Sequence, residues 1–350
     1  METVFEGIVA RRVDSPRLSA GVLERPAEGE AASVVVFIHG NVSSSLFWQP
    51  TMLALPPQLR ALAIDLRGFG DSETAPVDAT RGVRDFSDDV AGVLDVLGIS
   101  SAHVVGWSMG GGVAMQLLID RPELVASLTL VSPVSPYGFG GTDAEGRVLD
   151  PEQPGVGGGG ANADFVQRLL DGDRSADSPA SPRSVLRTAY VADPATIAEH
   201  EDVWVESMLT TRTGVDNYPG DVATASGWPG FGPGTRGVLN TMAPGYFDTS
   251  GIVDVAVKPP VLWVHGVQDA IVSDESFFDL NTLGKHGIIP GWPGAELAPP
   301  QPMVSQTREV LERYAASGGV FRELAVEGCG HSAHLEAPEL FREALVELIG

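Results

Sequence analysis

Apolar runs rich in β-branched residues punctuate the first third of the chain, at residues 33–39 (SVVVFIH), 59–65, 103–107 and 127–131. Short continuous runs of this kind mark strands buried on both faces. Between the second and third, residues 85–97 are apolar at Phe86, Val90, Val93, Leu94 and Leu97, which is helical spacing. Residues 109–121 predict another helix, stopped by Pro122. Strands alternating with helices predict a parallel sheet covered on both faces.

From about residue 133 to 260 the rhythm changes to Gly, Pro and Asp, with short helical stretches at 164–170, 185–191 and 194–209. This middle third is expected to be an insertion. Its run at 155–160 (GVGGGG) follows no β-run and lacks the Lys-Ser/Thr of a phosphate loop, so a flexible loop is expected there. Strand patterning returns at 260–265 (PVLWVH) and 320–326, before a helix at 338–349. Between them, residues 284–302 are rich in Gly and Pro and carry Trp292, a long loop that is either a substrate-site rim or a surface insertion. No internal repeat is visible. The pattern predicts an α/β, doubly wound, mostly parallel sheet formed by residues 1–132 and 260–350, with residues 133–259 inserted as a mainly helical cap.

Composition narrows the function. The chain has 350 residues, 43% hydrophobic, ample for a buried core. A formal net charge of -24 disfavours nucleic acid and anionic membranes, whose binding needs clustered Lys and Arg, and leaves a small-molecule partner as the expectation. The acidity itself reads first as a solvation adaptation. The single cysteine, Cys329, cannot close an internal disulfide or build a thiolate cluster, which fits the cytoplasm. Residues 1–23 hold acids and arginines without an apolar run of signal-peptide length, and no segment approaches the roughly 20 apolar residues of a membrane span. No cofactor and no metal are expected, and no oligomeric state is readable.

Gly106-Trp107-Ser108-Met109-Gly110 fits G-x-S-x-G after a strand run and before a helix, the context that pattern requires. A serine hydroxyl needs a base within hydrogen-bond reach, itself oriented by a carboxylate. His331 is the candidate base, in a glycine-flanked loop after the last strand run, with His334 as competitor. Asp269 follows the run at 261–264 and lies at a strand's C-terminal end, the edge where open α/β sheets place their sites, with Asp274 as fallback. The backbone N–H groups of Asn41 and Met109 are the candidate oxyanion donors, and Gly40 permits close approach of backbone to ligand. His39 is expected to be structural. Gly40, Trp107, Trp204 and Met242 are the candidate substrate-binding residues, and Cys329 is expected to be dispensable.

The order Ser108, Asp269, His331 resembles that of the α/β-hydrolase fold. So do His39-Gly40, Asp65-Leu66-Arg67-Gly68-Phe69-Gly70-Asp71-Ser72, the segment Val264-His265-Gly266-Val267-Gln268-Asp269, and Gly330-His331 with Glu336 and Pro338. Together these motifs cover the two outer thirds of the chain. The resemblance implies a capped serine hydrolase of small to medium carboxylic esters or lactones, working through an acyl-enzyme. Two departures stand out. His39-Gly40-Asn41 is similar to a segment of haloalkane dehalogenases and epoxide hydrolases, whose nucleophile is an aspartate, and Val42 stands where many relatives have proline. Alternatives that the resemblance leaves open are carbon–carbon bond hydrolysis, which would need Arg168, Arg183, Arg187, Arg212 or Arg236 for a substrate carboxylate, cofactor-free haloperoxidase activity, and a ligand-binding protein on the same fold.

Overall fold

The computed structural model describes residues 3–29 and 31–350. Eight strands form one sheet: β1 (Val9–Asp14), β2 (Ser19–Arg25), β3 (Ser33–Ile38), β4 (Leu59–Ile64), β5 (Ala102–Trp107), β6 (Val125–Val131), β7 (Val261–Gly266) and β8 (Phe321–Val326). Their spatial order is β1-β2-β4-β3-β5-β6-β7-β8. From β4 to β8 every neighbouring pair is parallel, whereas β1 and β2 form an antiparallel hairpin that joins β4 antiparallel.

The apolar runs become the central strands because both faces are covered. Val35, Val36, Phe37 and Ile38 of β3 are fully buried. Helix α1 (Gln49–Ala54) follows β3, and α2 (Arg84–Val96) lays Phe86, Val90, Val93 and Leu94 onto the sheet. Helix α3 (Met109–Asp120) is buried almost all round, as expected of a helix with no polar face. The hairpin β1-β2 has no counterpart in the apolar pattern, because Arg11 and Arg12 interrupt β1, an edge strand largely open to solvent.

Chain order reverses between β3 and β5. The strand after β3 lies on one side of it and the next strand on the other, so a crevice opens where their C-terminal ends part. Gly40 and Ser108 both sit at that point.

Residues 132–260 add nothing to the main sheet. They form helices at Ala163–Asp171, Pro182–Val185 and Glu201–Leu209, a π-helical turn at Leu186–Tyr190, and two small ribbons, Val222–Thr224 with Phe231–Pro233 and Thr213–Gly214 with Tyr218–Pro219. The expected stretches at 164–170, 185–191 and 194–209 do form helical turns, but more of the segment is irregular than helical. The glycine run at 155–160 is not a free loop. Gly155 N–H donates to Phe231 O at 2.8 Å and Gly158 N–H to the Asn240 side chain at 2.9 Å, which packs the run into the segment's interior. Trp292 of the 284–302 stretch packs on Gly284, and Pro290 O accepts from the Trp228 indole, so this stretch lies against the intervening segment. Among the described residues no helix is long and apolar enough to cross a membrane.

Candidate active site

Ser108 lies between β5 and α3 with φ 57° and ψ −123°, a backbone conformation costly for any residue with a Cβ. The turn is that sharp because a Cβ on Gly106 would run into the Gly110 carbonyl. Although Ser108 occupies the helix N-cap position, its side chain makes no capping bond. Its hydroxyl faces a cavity of about 620 Å³ that Asn41, Val42 and His331 also line.

His331 Nδ1 lies 2.8 Å from Asp269 Oδ2, with both side chains buried. A carboxylate only accepts, so Nδ1 carries the proton and Nε2 is left with the free lone pair. Asp269 is held in turn by the N–H groups of Ile271 and Val272 at 2.8 and 3.0 Å on its other oxygen. Among the described residues no hydrogen bond joins Ser108 to His331, though both line the one cavity. The two competitors lie elsewhere. Asp274 binds the N–H and hydroxyl of Ser305 at 2.9 and 2.6 Å, while His334 is sealed among Trp48, Trp107 and Phe341.

The loop after β3 lies against Ser108, and its conformation is fixed by a chain of hydrogen bonds. Buried His39 accepts the Leu66 N–H on Nε2 at 3.0 Å, so its Nδ1 carries the proton and donates to Gly40 O at 2.7 Å. Burial pushes the His39 pKa down to about 4, which keeps the ring neutral and structural. Ser43 donates to the same Gly40 oxygen at 2.9 Å. In a trans peptide the N–H points opposite to the C=O, so fixing Gly40 O aims the Asn41 N–H away from these donors. Neither Asn41 N–H nor Met109 N–H finds an acceptor among the described residues. Gly40 is itself pressed against Ser108, where a Cβ would stand 2.8 Å from Ser108 Cβ.

The substrate-binding expectations divide. Met242 lines the cavity. Trp107 and Trp204 do not; both are core residues, Trp204 stacked on Phe47 and Trp107 wedged between Phe47 and Tyr190, which corrects their expected place at the substrate. Size and apolarity suit a tryptophan equally to core and to pocket. The rest of the wall is mostly apolar and comes from residues that no motif marks, including Gly155, Gly157, Phe165, Phe277, Phe278 and Leu283. No Lys or Arg lines it, and Asp164 and Asp279 do. Arg168, Arg183, Arg187 and Arg236 are paired with surface acids instead. A more open groove elsewhere, lined by Arg17, Arg84, Asp88, Asp95 and Asp120, mixes both charges and holds no nucleophile. Among the described residues no group of three or more His, Cys, Asp or Glu is gathered to hold a metal.

Tyr190 binds the loop after β3 and Glu336 the loop of His331; the motif marks Glu336 but not its bonds, and nothing in the sequence marks Tyr190. Tyr190 Oη lies 3.0 Å from Asn41 O and 3.2 Å from Val42 O, and Glu336 accepts the Gly330 N–H at 2.6 Å.

Residues 33–176 match the family described as the α/β-hydrolase fold. The chain is 42% identical over 113 residues to the dihydrolipoyllysine-residue acetyltransferase component of the acetoin cleaving system of Cupriavidus necator, which is 32% of this chain and 29% of that protein. It is 31% identical over 106 residues to the carboxylesterase YbfK of Bacillus subtilis, 30% of this chain and 36% of the relative. The chain thus spans about a third of the length of these curated relatives. The crystal structure of that B. subtilis carboxylesterase superposes with a TM-score of 0.59 at 17% identity, over 98% of this chain and 91% of the other. With its switch point, sheet order and matched segment in agreement, the chain has the α/β-hydrolase fold.

Proposed function

We propose that the protein is a serine hydrolase of small to medium, uncharged carboxylic esters or lactones. The observation that carries the reading is the buried His331–Asp269 hydrogen bond of 2.8 Å beside a cavity that strained Ser108 also lines. In this mechanism Ser108 Oγ attacks the acyl carbon while His331 Nε2 takes its proton. Asp269 holds the ring in the Nδ1–H tautomer and stabilises the imidazolium. The Asn41 and Met109 N–H groups receive the oxyanion, His331 returns the proton to the leaving alcohol, and a water activated by the same nitrogen then releases the acid.

Residues 133–259 act in this reading as the cap that shapes the acyl pocket, through Phe165, Leu239 and Met242. A lining without Lys or Arg favours neutral substrates over the carboxylate-bearing ones of carbon–carbon bond hydrolysis. The lone Cys329 suits the cytoplasm, where we place the protein.

The test is a panel of soluble esters and lactones of graded acyl length, with Ser108→Ala alongside. Turnover should fall roughly 10⁴-fold or more in Ser108→Ala. A fluorophosphonate should label Ser108 stoichiometrically, and a label elsewhere, or full activity in a folded Ser108→Ala protein, refutes the assignment.

A further inference from the structure

Four consecutive residues of the intervening segment, Tyr190 to Asp193, touch both loops that carry the reacting groups. On one side the Tyr190 hydroxyl is shared between the carbonyls of Asn41 and Val42. Its ring is buried against Phe47 and Trp107. Val42 is β-branched and sits at φ 47°, where such a side chain is strained, so something must hold it. The hydroxyl fixes the peptide planes on both sides of Val42, immediately after the N–H assigned to the oxyanion. The π-helical turn Leu186–Tyr190 ends on this tyrosine, an irregularity that favours functional places in helices.

On the other side the main chain of the same stretch binds Glu336. One carboxylate oxygen accepts the N–H groups of Ala192 and Asp193 at 2.6 and 3.2 Å, and the other accepts the N–H of Gly330, the residue before His331, at 2.6 Å. A Cβ at Gly330 would meet Ala192 N at 2.8 Å, so the histidine loop is seated directly on this stretch. Burial raises the Glu336 pKa, its three N–H partners oppose that, and nearby Asp269 adds to it.

We propose that residues 190–193 form a strut that fixes the oxyanion loop and the histidine loop relative to each other, with Tyr190 and Glu336 as positioning residues. The proposal rests on the roles given above to Ser108 and His331. It makes the intervening segment part of the catalytic framework as well as of the substrate pocket. Neither residue reacts; each sets the aim of a group that does, and misplacement by about 1 Å is enough to cost roughly 100-fold in rate.

The test uses Tyr190→Phe, which keeps the ring and removes the hydroxyl, and Glu336→Gln, which keeps the shape but turns one acceptor oxygen into a donor. In each, kcat on a neutral ester should fall roughly 10- to 100-fold with KM within about twofold. The double variant should lose less than the product of the two, because both act through one strut. Amide exchange followed by mass spectrometry gives a readout independent of turnover. It should quicken at residues 40–44 in Tyr190→Phe and at 328–332 in Glu336→Gln, with protection of the central strands retained. Unchanged kcat, a loss confined to KM, or unchanged exchange in these loops overturns the strut. If the wild-type protein turns over no ester, the reading of the site fails, and local exchange still decides whether the strut exists. If one variant does not fold, the other carries the same comparison.

Discussion

The Trp107 indole Nε1 donates a 2.9 Å hydrogen bond to the main-chain oxygen of His331, joining the residue before Ser108 to the histidine across the cavity. Trp107 is fully buried, so this bond competes with no water. It is a second tie to the histidine loop, independent of residues 190–193. Trp107→Phe keeps a packed ring and drops the donor, leaving His331 O unpaired. Stability should fall by about 1–2 kcal/mol in urea unfolding. Turnover of a neutral ester should fall roughly 3- to 10-fold in kcat with little change in KM, because a displacement here is smaller than loss of a reacting group. An unaltered kcat in a destabilised variant would reduce this bond to a purely structural one.

His334 is a second histidine in the same loop with a different fate. Its ring centroid lies 4.4 Å from that of Trp48 and 4.9 Å from that of Trp107, and neither nitrogen has a partner among the described residues. Burial first, and the neighbouring His331 second, push its pKa down to about 3. An unfolded histidine titrates near 6.5, so between that pH and about 3 the unfolded chain binds more protons than the folded one at this position. The stabilising effect of a neutral His334 is complete above pH 6.5 and lost as pH falls toward 3. His39, held down to about 4 by burial, acts in the same direction. Asp65, raised to about 6 by burial, acts in the opposite one. His334→Phe removes only the first contribution. Compared with wild type, its unfolding free energy should decline less steeply from pH 6.5 to 4, by up to one proton's slope, and ester turnover should persist. Parallel pH profiles for the two proteins would show that His334 is charged in the folded state.

Much of the framework is legible in the residue pattern because burial on two faces demands continuous apolar runs. Residues 33–39 and 59–65 are read nearly to the residue as β3 and β4 for that reason, and 338–349 coincides with the helix Pro338–Ile349. The hairpin β1-β2 and the helix Met303–Ala316 escape it, since an edge strand tolerates Arg11 and Arg12 and the helix has a largely polar outer face. The residues singled out as candidates, Ser108, Asp269 and His331, are marked by chain order and glycine flanks, both local properties, and the structure brings Ser108 and His331 to one cavity and His331 to Asp269. Tyr190 is not so marked, and Glu336, though marked beside Gly330-His331, gives no sign of its bond to the intervening segment, because Asn41 and Ala192 become neighbours of these residues only in the folded chain. The glycine run at 155–160 is misread as flexible for the same reason, its hydrogen-bond partners Phe231 and Asn240 being far along the sequence.

Cys329 adjoins the histidine loop yet should be chemically quiet. It is 4% exposed, and burial first, with Glu336 second, pushes its thiol up to about 11. Only the thiolate reacts, and a rise from about 9 to about 11 makes its population at neutral pH roughly 100-fold smaller. Iodoacetamide should therefore modify the folded protein roughly 100- to 1000-fold more slowly than the urea-unfolded chain. Cys329→Ser should keep full ester turnover and the same tolerance to peroxide. Rapid alkylation of the native protein, or loss of peroxide sensitivity in the variant, would instead identify a redox-responsive thiol.

Charge should separate substrates more sharply than size. The cavity of about 620 Å³ has room for a medium acyl chain, and its wall offers apolar contact at Val134, Phe165, Leu239, Met242 and Leu283. Among the described residues of the wall an acyl chain ending in a carboxylate meets no Lys or Arg but meets acidic Asp279, and acidic Asp164 has its charge already met by Arg168 at 3.0 Å. Asp279 is buried and already occupied by the N–H groups of Asn281 and Gln301 at 3.1 and 3.0 Å, so it has no reason to turn away. An unpaired carboxylate transferred into such a site loses several kcal/mol of hydration. Even a chain that keeps its carboxylate at the exposed rim beside Asp164 faces like charge in a protein of net charge -24. For two esters of equal length, one ending in methyl and one in carboxylate, kcat/KM should favour the neutral ester by roughly 100-fold or more, about 3 kcal/mol. Salt should narrow the gap only partly, because it screens the rim and the overall field while leaving the cost of desolvation untouched. Comparable rates on the two esters at low salt would mean that the acyl chain leaves the site by a route that avoids this wall.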